Sequence, residues 1–155
     1  MKRNPLRTWL PYAFAAIVAP LIAAWPQRAQ AANLHWDGTD TTLDADGGAG
    51  TWTTANAWDT LATAGVDATW NSVTPDAATF GGVAGTVTVS AATTVGGITF
   101  TTTGYTITGA GPLTLATSTI ATGANDATIS AILAGTTAVT KTGRVRPPNH
   151  VKARL

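Results

Sequence analysis

The chain has 155 residues, with nine Lys and Arg, eight acidic residues and no Cys. Every basic residue lies within positions 2–28 or 141–154, and the acidic residues, all Asp, lie between them at 37–126. The split excludes a disulfide framework, and a body with eight negative charges and no Lys or Arg before Lys141 would repel nucleic-acid phosphate rather than bind it.

The amino terminus has the three parts of a secretory signal. Lys2, Arg3 and Arg7 supply positive charge, Trp9 to Trp25 is nearly all apolar, and Ala29-Gln30-Ala31 places small residues at a cleavage site. The signal is therefore expected to cover residues 1–31, with cleavage after Ala31. An uncleaved anchor is the competing reading. Its apolar run of about 17 residues sits at the lower limit for a membrane span, and Pro11 and Pro20 interrupt it as a helix.

Residues 32–82 form the next segment. They contain Trp36, Trp52, Trp58 and Trp70 together with seven of the eight Asp. The segment is expected to act as a Trp/Asp-rich amino-terminal cap over strand edges that would otherwise be open. Two chemistries compete with that structural role. Indole faces stack on pyranose rings, so Trp52, Trp58 and Trp70, with Asn56, Asp59 and Asn71 as hydrogen-bonding neighbours, are the candidate carbohydrate-binding residues. Asp37, Asp40, Asp44 and Asp46 gather acidic oxygens near Gly and are weak calcium candidates. An EF-hand loop would need a further oxygen ligand and a closing Glu, and the chain has no Glu. Asp and Gly are also ordinary turn residues. His35 is the only His of the body, so no zinc set can be assembled.

Residues 83–143 alternate apolar residues with Thr, as in Val87-x-Val89, Ile98-x-Phe100, Tyr105-x-Ile107 and Leu113-x-Leu115. Each pair sends two apolar side chains to one face and a Thr to the other. Residues 32–143 contain 30 Thr, whose stiff branched Cβ suits a pleated surface. Gly85, Gly96, Gly97, Gly104, Gly109 and Gly111 punctuate the segments as turns. An offset of 26 aligns Gly85-Thr86-Val87-Thr88-Val89 with Gly111-Pro112-Leu113-Thr114-Leu115, and puts Gly97 on Gly123 and Gly109 on Gly135. Three strand-like segments per unit predict an all-β fold, the start of a three-sided parallel β-helix with a period near 26. An antiparallel β-sandwich of short strands is the alternative.

The order of these parts resembles the amino terminus of autotransporter-associated β-strand repeat proteins. The resemblance is carried by Trp36-Asp37-Gly38, Gly50-Thr51-Trp52, Asn56-Ala57-Trp58, Thr69-Trp70-Asn71 and Pro75-Asp76-Ala77-Ala78-Thr79-Phe80. It continues through Gly85-Thr86-Val87-Thr88-Val89, Gly96-Gly97-Ile98-Thr99-Phe100 and Gly104-Tyr105-Thr106-Ile107-Thr108-Gly109. It implies a large surface or secreted passenger with a β-helical stem; it does not imply a catalytic residue. Val139-Thr140-Lys141-Thr142-Gly143 follows the family pattern, and the next twelve residues leave it. Residues 144–155 carry Arg144, Arg146, Lys152 and Arg154 with Pro147-Pro148, which cannot continue an interior strand. They read as a truncated or out-of-frame end. The competing readings are a basic tail for an anionic surface and an inert terminus.

Enzymatic chemistry finds no support in the residues. Glycoside hydrolysis needs two carboxylates at a set separation, yet only Asp126 stands among the repeats. No Gly-x-Ser-x-Gly occurs and His35 has no motif partner. The expectation is an exported, non-catalytic passenger fragment with a structural or adhesive role. No cofactor is expected. Partners are surface glycans or other cell-surface components, with membrane contact only through the export signal or a carboxy-terminal region outside this chain. A carbohydrate-binding module built on the Trp cluster is the alternative.

Overall fold

The computed structural model describes residues 30–38, 42–135 and 140–143. Most of the expected signal, Asp40 and the basic tail lie outside the described residues. Fourteen short strands carry the fold, and no helix occurs among the described residues. They are β1 (Asn33–Trp36), β2 (Gly50–Thr51), β3 (Trp58–Asp59), β4 (Asp67–Ala68), β5 (Ala77–Phe80), β6 (Thr86–Thr88) and β7 (Thr93–Val95). Then follow β8 (Gly97–Phe100), β9 (Tyr105–Thr108), β10 (Leu113–Leu115), β11 (Thr119–Gly123), β12 (Ala127–Ile129), β13 (Leu133–Ala134) and β14 (Thr140–Gly143).

The strands form three sheets, and none closes into a barrel among the described residues. The first sheet has the order β14-β11-β8-β5-β1-β3-β4, the second β13-β10-β7 and the third β12-β9-β6-β2. From β5 onward the chain visits the first, third and second sheets in turn, then starts again. Each strand pairs in parallel with its equivalent one circuit away: Ala77 with Gly97, Val87 with Ile107, Thr93 with Leu113. Antiparallel pairing is confined to β1–β3 and β3–β4. An antiparallel sandwich would have joined neighbouring strands as hairpins, and beyond Ala77 no described pairing does so.

The circuit length corrects the expected period of 26. Partners lie 20 residues apart at Val87–Ile107 and Leu113–Leu133, 22 apart at Ile98–Ile120 and 21 apart at Ile120–Lys141. The 26-residue offset had set Val87, on the third sheet, against Leu113, on the second. An apolar-Thr-apolar triplet matches many others in such a sequence, whereas pairing depends on the summed lengths of strands and turns. The variation lies in the turns. Gly96 alone joins β7 to β8, while Ala116, Thr117 and Ser118 join β10 to β11.

Strand alternation places the core. Leu34, Trp36, Ala78, Phe80, Ile98, Phe100 and Ile120 point inward from the first sheet, and Val87, Tyr105, Ile107 and Ile129 from the third. Val95, Leu113, Leu115 and Leu133 close the interior from the second, and all belong to one buried cluster. Phe80 and Phe100 occupy paired positions and stack, with centroids 5.3 Å apart and planes 22° apart.

At the amino-terminal end the parallel order stops. The first sheet turns antiparallel through β3 and β4. The second sheet ends at β7, where side chains take the place of a strand: Trp70 Nε1–H donates to Thr94 O at 3.2 Å, and Thr94 N–H donates to Ser72 Oγ at 3.3 Å. Backbone groups that the ladder leaves over are thereby partnered.

Candidate functional site

The four Trp converge on the interior instead of forming a surface. Centroids of the pairs Trp36–Trp58, Trp52–Trp58 and Trp52–Trp70 are each 5.0 Å apart, and Trp58–Trp70 are 4.6 Å apart. Phe80 reaches Trp52 at 5.5 Å and Trp58 at 5.6 Å. Trp52 and Trp58 have no exposed surface and Trp70 is 9% exposed. Trp36 and Trp58 donate their indole N–H to the carbonyls of Gly48 and Trp52, each at 2.9 Å. Sugar stacking needs an open indole face, so the stacking platform proposed for Trp52, Trp58 and Trp70 is corrected: those faces are covered by other rings. The polar candidates are not gathered either. Asn56 is exposed in a turn at φ 61°, a left-handed conformation that Asn tolerates. Asn71 Oδ1 accepts the N–H groups of Val73 and Thr74 at 2.9 and 3.1 Å, an Asx turn. Asp59 lies on the outer side of the first sheet, fully buried. Residue type alone does not separate a buried Trp from an exposed one.

The calcium candidates serve the backbone. Asp37 is buried and its Oδ1 accepts Asp46 N–H at 3.0 Å. Asp44 Oδ1 accepts Ala64 N–H at 2.9 Å. No group of three or more His, Asp or other metal-ligating side chains is placed to hold a metal ion among the described residues.

The structure assembles another group that no motif announces. Strand register puts Thr79 beside His35, His35 beside Asp59, and Asp59 beside Asp67, in one row across β5, β1, β3 and β4. The loops before β2 and after β3 close over this row. Ala45 N–H donates to Ala62 O at 3.1 Å and Gly65 N–H to Leu43 O at 2.6 Å. Beneath them a cavity of about 330 Å³ is lined by His35, Ala45, Ala62, Thr79, Gly81, Gly82 and Thr101. Burial lowers the His35 pKa, and the Asp59 carboxylate opposes that shift. Burial thus favours the neutral form of the imidazole. Thr79 Oγ1 donates to Asn33 Oδ1 at 3.0 Å. The two loops also carry exposed Leu43 (60%), Leu61 (57%) and Val66 (64%).

The outer face of the third sheet is free of charge. Thr86, Thr106 and Thr128 form one row, and Thr51, Thr88 and Thr108 a second. Rows of Thr on parallel strands thus make an uncharged, hydroxyl-bearing face.

This chain is similar to part of an autotransporter adhesin. It is 44% identical over 119 residues to the adhesin BmaC autotransporter of Brucella suis biovar 1 (strain 1330). That match covers 74% of this chain and 4% of the adhesin, so the chain spans a small part of the relative's length. No family model matches the chain, and no solved structure matches it.

Proposed function

We propose that the chain is the amino-terminal piece of an exported, non-catalytic surface passenger with an adhesive or structural role. In this reading residues 83–143 begin a three-sided parallel β-helix, and residues 32–82 cap its first coil. The supporting observation is the parallel stacking of every described strand from β5 onward, with Thr-rich outer faces and a continuous apolar interior. Similarity to an adhesin points the same way. A solenoid presents an elongated surface whose area grows with each coil, a geometry suited to contact with other surfaces. The partners are surface glycans or other cell-surface components, met by rows of Thr hydroxyls and by the apolar loop tips.

Binding of beads coated with the exported protein to cultured host cells tests this. Retention several-fold above albumin-coated beads is expected, with competition by soluble protein. Equal retention of the two bead types refutes the adhesive role. Loss of binding after enzymatic removal of surface glycans would identify the partner as carbohydrate.

A further inference from the structure

The described structure places Ala32, the residue after the expected cleavage site, against a buried carboxylate. Asp76 is 4% exposed. Its Oδ1 accepts Ala32 N–H at 2.8 Å and its Oδ2 accepts Asn71 N–H at 3.0 Å. Ala32 is held on its other side as well, because Ala77 N–H donates to Ala32 O at 2.8 Å. The β1–β5 ladder starts at the next residue, where Asn33 pairs with Ala77. Backbone N–H donors stabilise a buried carboxylate, and a cation within reach stabilises it further. No Lys or Arg occurs between Arg28 and Lys141, so none in that span can supply one.

We propose that removal of the leader creates the missing cation: the new α-ammonium of Ala32 forms an ion pair with Asp76 and locks β1 onto β5. This inference rests on the export reading above. Hydrolysis of the Ala31–Ala32 amide adds one water across the bond. Ala31 keeps the new carboxyl and leaves with the leader, and Ala32 keeps the amine, which takes a proton at neutral pH. The contact already has an ionised acceptor; cleavage gives it a charged donor as well, so a hydrogen bond to a carboxylate becomes an ion pair. Before cleavage the same nitrogen is an amide with a single hydrogen and no charge. The first strand is thus anchored fully only after export, and processing and docking of β1 are linked.

The test uses the full gene expressed with export in a Gram-negative host. Intact mass and amino-terminal sequencing of the secreted protein locate the cut. The amine of Ala32 is then labelled at pH 7 with a limiting acylating reagent and the rate followed by mass spectrometry. An ion-paired ammonium should react roughly tenfold more slowly in the folded protein than in urea, since each tenfold corresponds to one pH unit of proton retention. Asp76→Asn should remove most of that protection. So should a Gly inserted after Ala31, which moves the amine one residue away and leaves Asp76 intact if the Asn variant does not fold. A secreted protein with a terminus other than Ala32 overturns the inference alone; a chain that is not exported and keeps its leader overturns it together with its export premise. A terminus at Ala32 that reacts equally fast folded and unfolded overturns the ion pair alone.

Discussion

Replacing Phe80 by Ala removes the ring that joins the Trp cluster to the coils. Phe80 has no exposed surface and contacts Trp36, Trp52, Trp58, Phe100 and Tyr105, with centroids 5.3 to 6.0 Å away. Truncating a buried Phe costs about 3–5 kcal/mol, from lost transfer energy and the cavity left behind. Five aromatic neighbours cannot all shift to fill the space, because each is fixed by its own strand or loop, so Phe80→Ala should fall at the upper end. Against a total stability of roughly 5–15 kcal/mol this is a large fraction. Urea unfolding of the exported protein, followed by Trp fluorescence, measures it directly. The emission should start blue and move red as the buried indoles meet water. Leu43→Ala, on an exposed loop, is the control and should change stability by about 0.5 kcal/mol or less. A loss below about 1 kcal/mol for Phe80→Ala, or red emission from the native protein, would refute the aromatic core.

Three further outcomes are expected. Tyr105 donates its hydroxyl to Val83 O at 2.9 Å, and burial pushes its pKa up to about 12, with a bond from the Gly48 backbone opposing the shift. The folded value lies above the ordinary value of 10.0, so this stability is held below pH 10 and lost as pH rises toward 12; ultraviolet titration of phenolate should show late ionisation coincident with unfolding. The lowered His35 pKa acts at the other end: its contribution is complete above the ordinary value of 6.5 and is lost as pH falls through the folded value, so His35→Gln should flatten the acid side of a stability profile. Gly109 has φ 124° and a Cβ there would meet the Val89 carbonyl, so Gly109→Ala should cost about 1–3 kcal/mol in urea unfolding, and an unchanged midpoint would contradict the close packing of successive circuits.

The inward and outward faces of the strands were legible in the chain because side-chain direction alternates with a period of two. Val87, Ile98, Tyr105, Ile107 and Leu113 all fall in the core where that alternation puts them. The absence of Lys and Arg between Arg28 and Lys141 was equally readable, since it depends on composition alone. Strand partners were not. Pairing is non-local, and one Thr-Val strand resembles the next, so the turn lengths around Gly96 and Ala116–Ser118 decide the register.

The same distinction separates the candidate sites. Composition could say that four Trp lie close in sequence. Only the tertiary structure decided that their faces cover one another, because β3, the loop before it and the segment after β4 bring them over the same core end. The row of His35, Asp59 and Asp67 left no trace in the sequence, for its members come from three strands joined by long loops. Ala32 and Asp76 are likewise remote along the chain and meet because β1 lies parallel to β5. Local order determined which residues are apolar and strand-forming; the folded backbone determined which of them meet, since contact across strands follows from register and loop length rather than from neighbouring residue types.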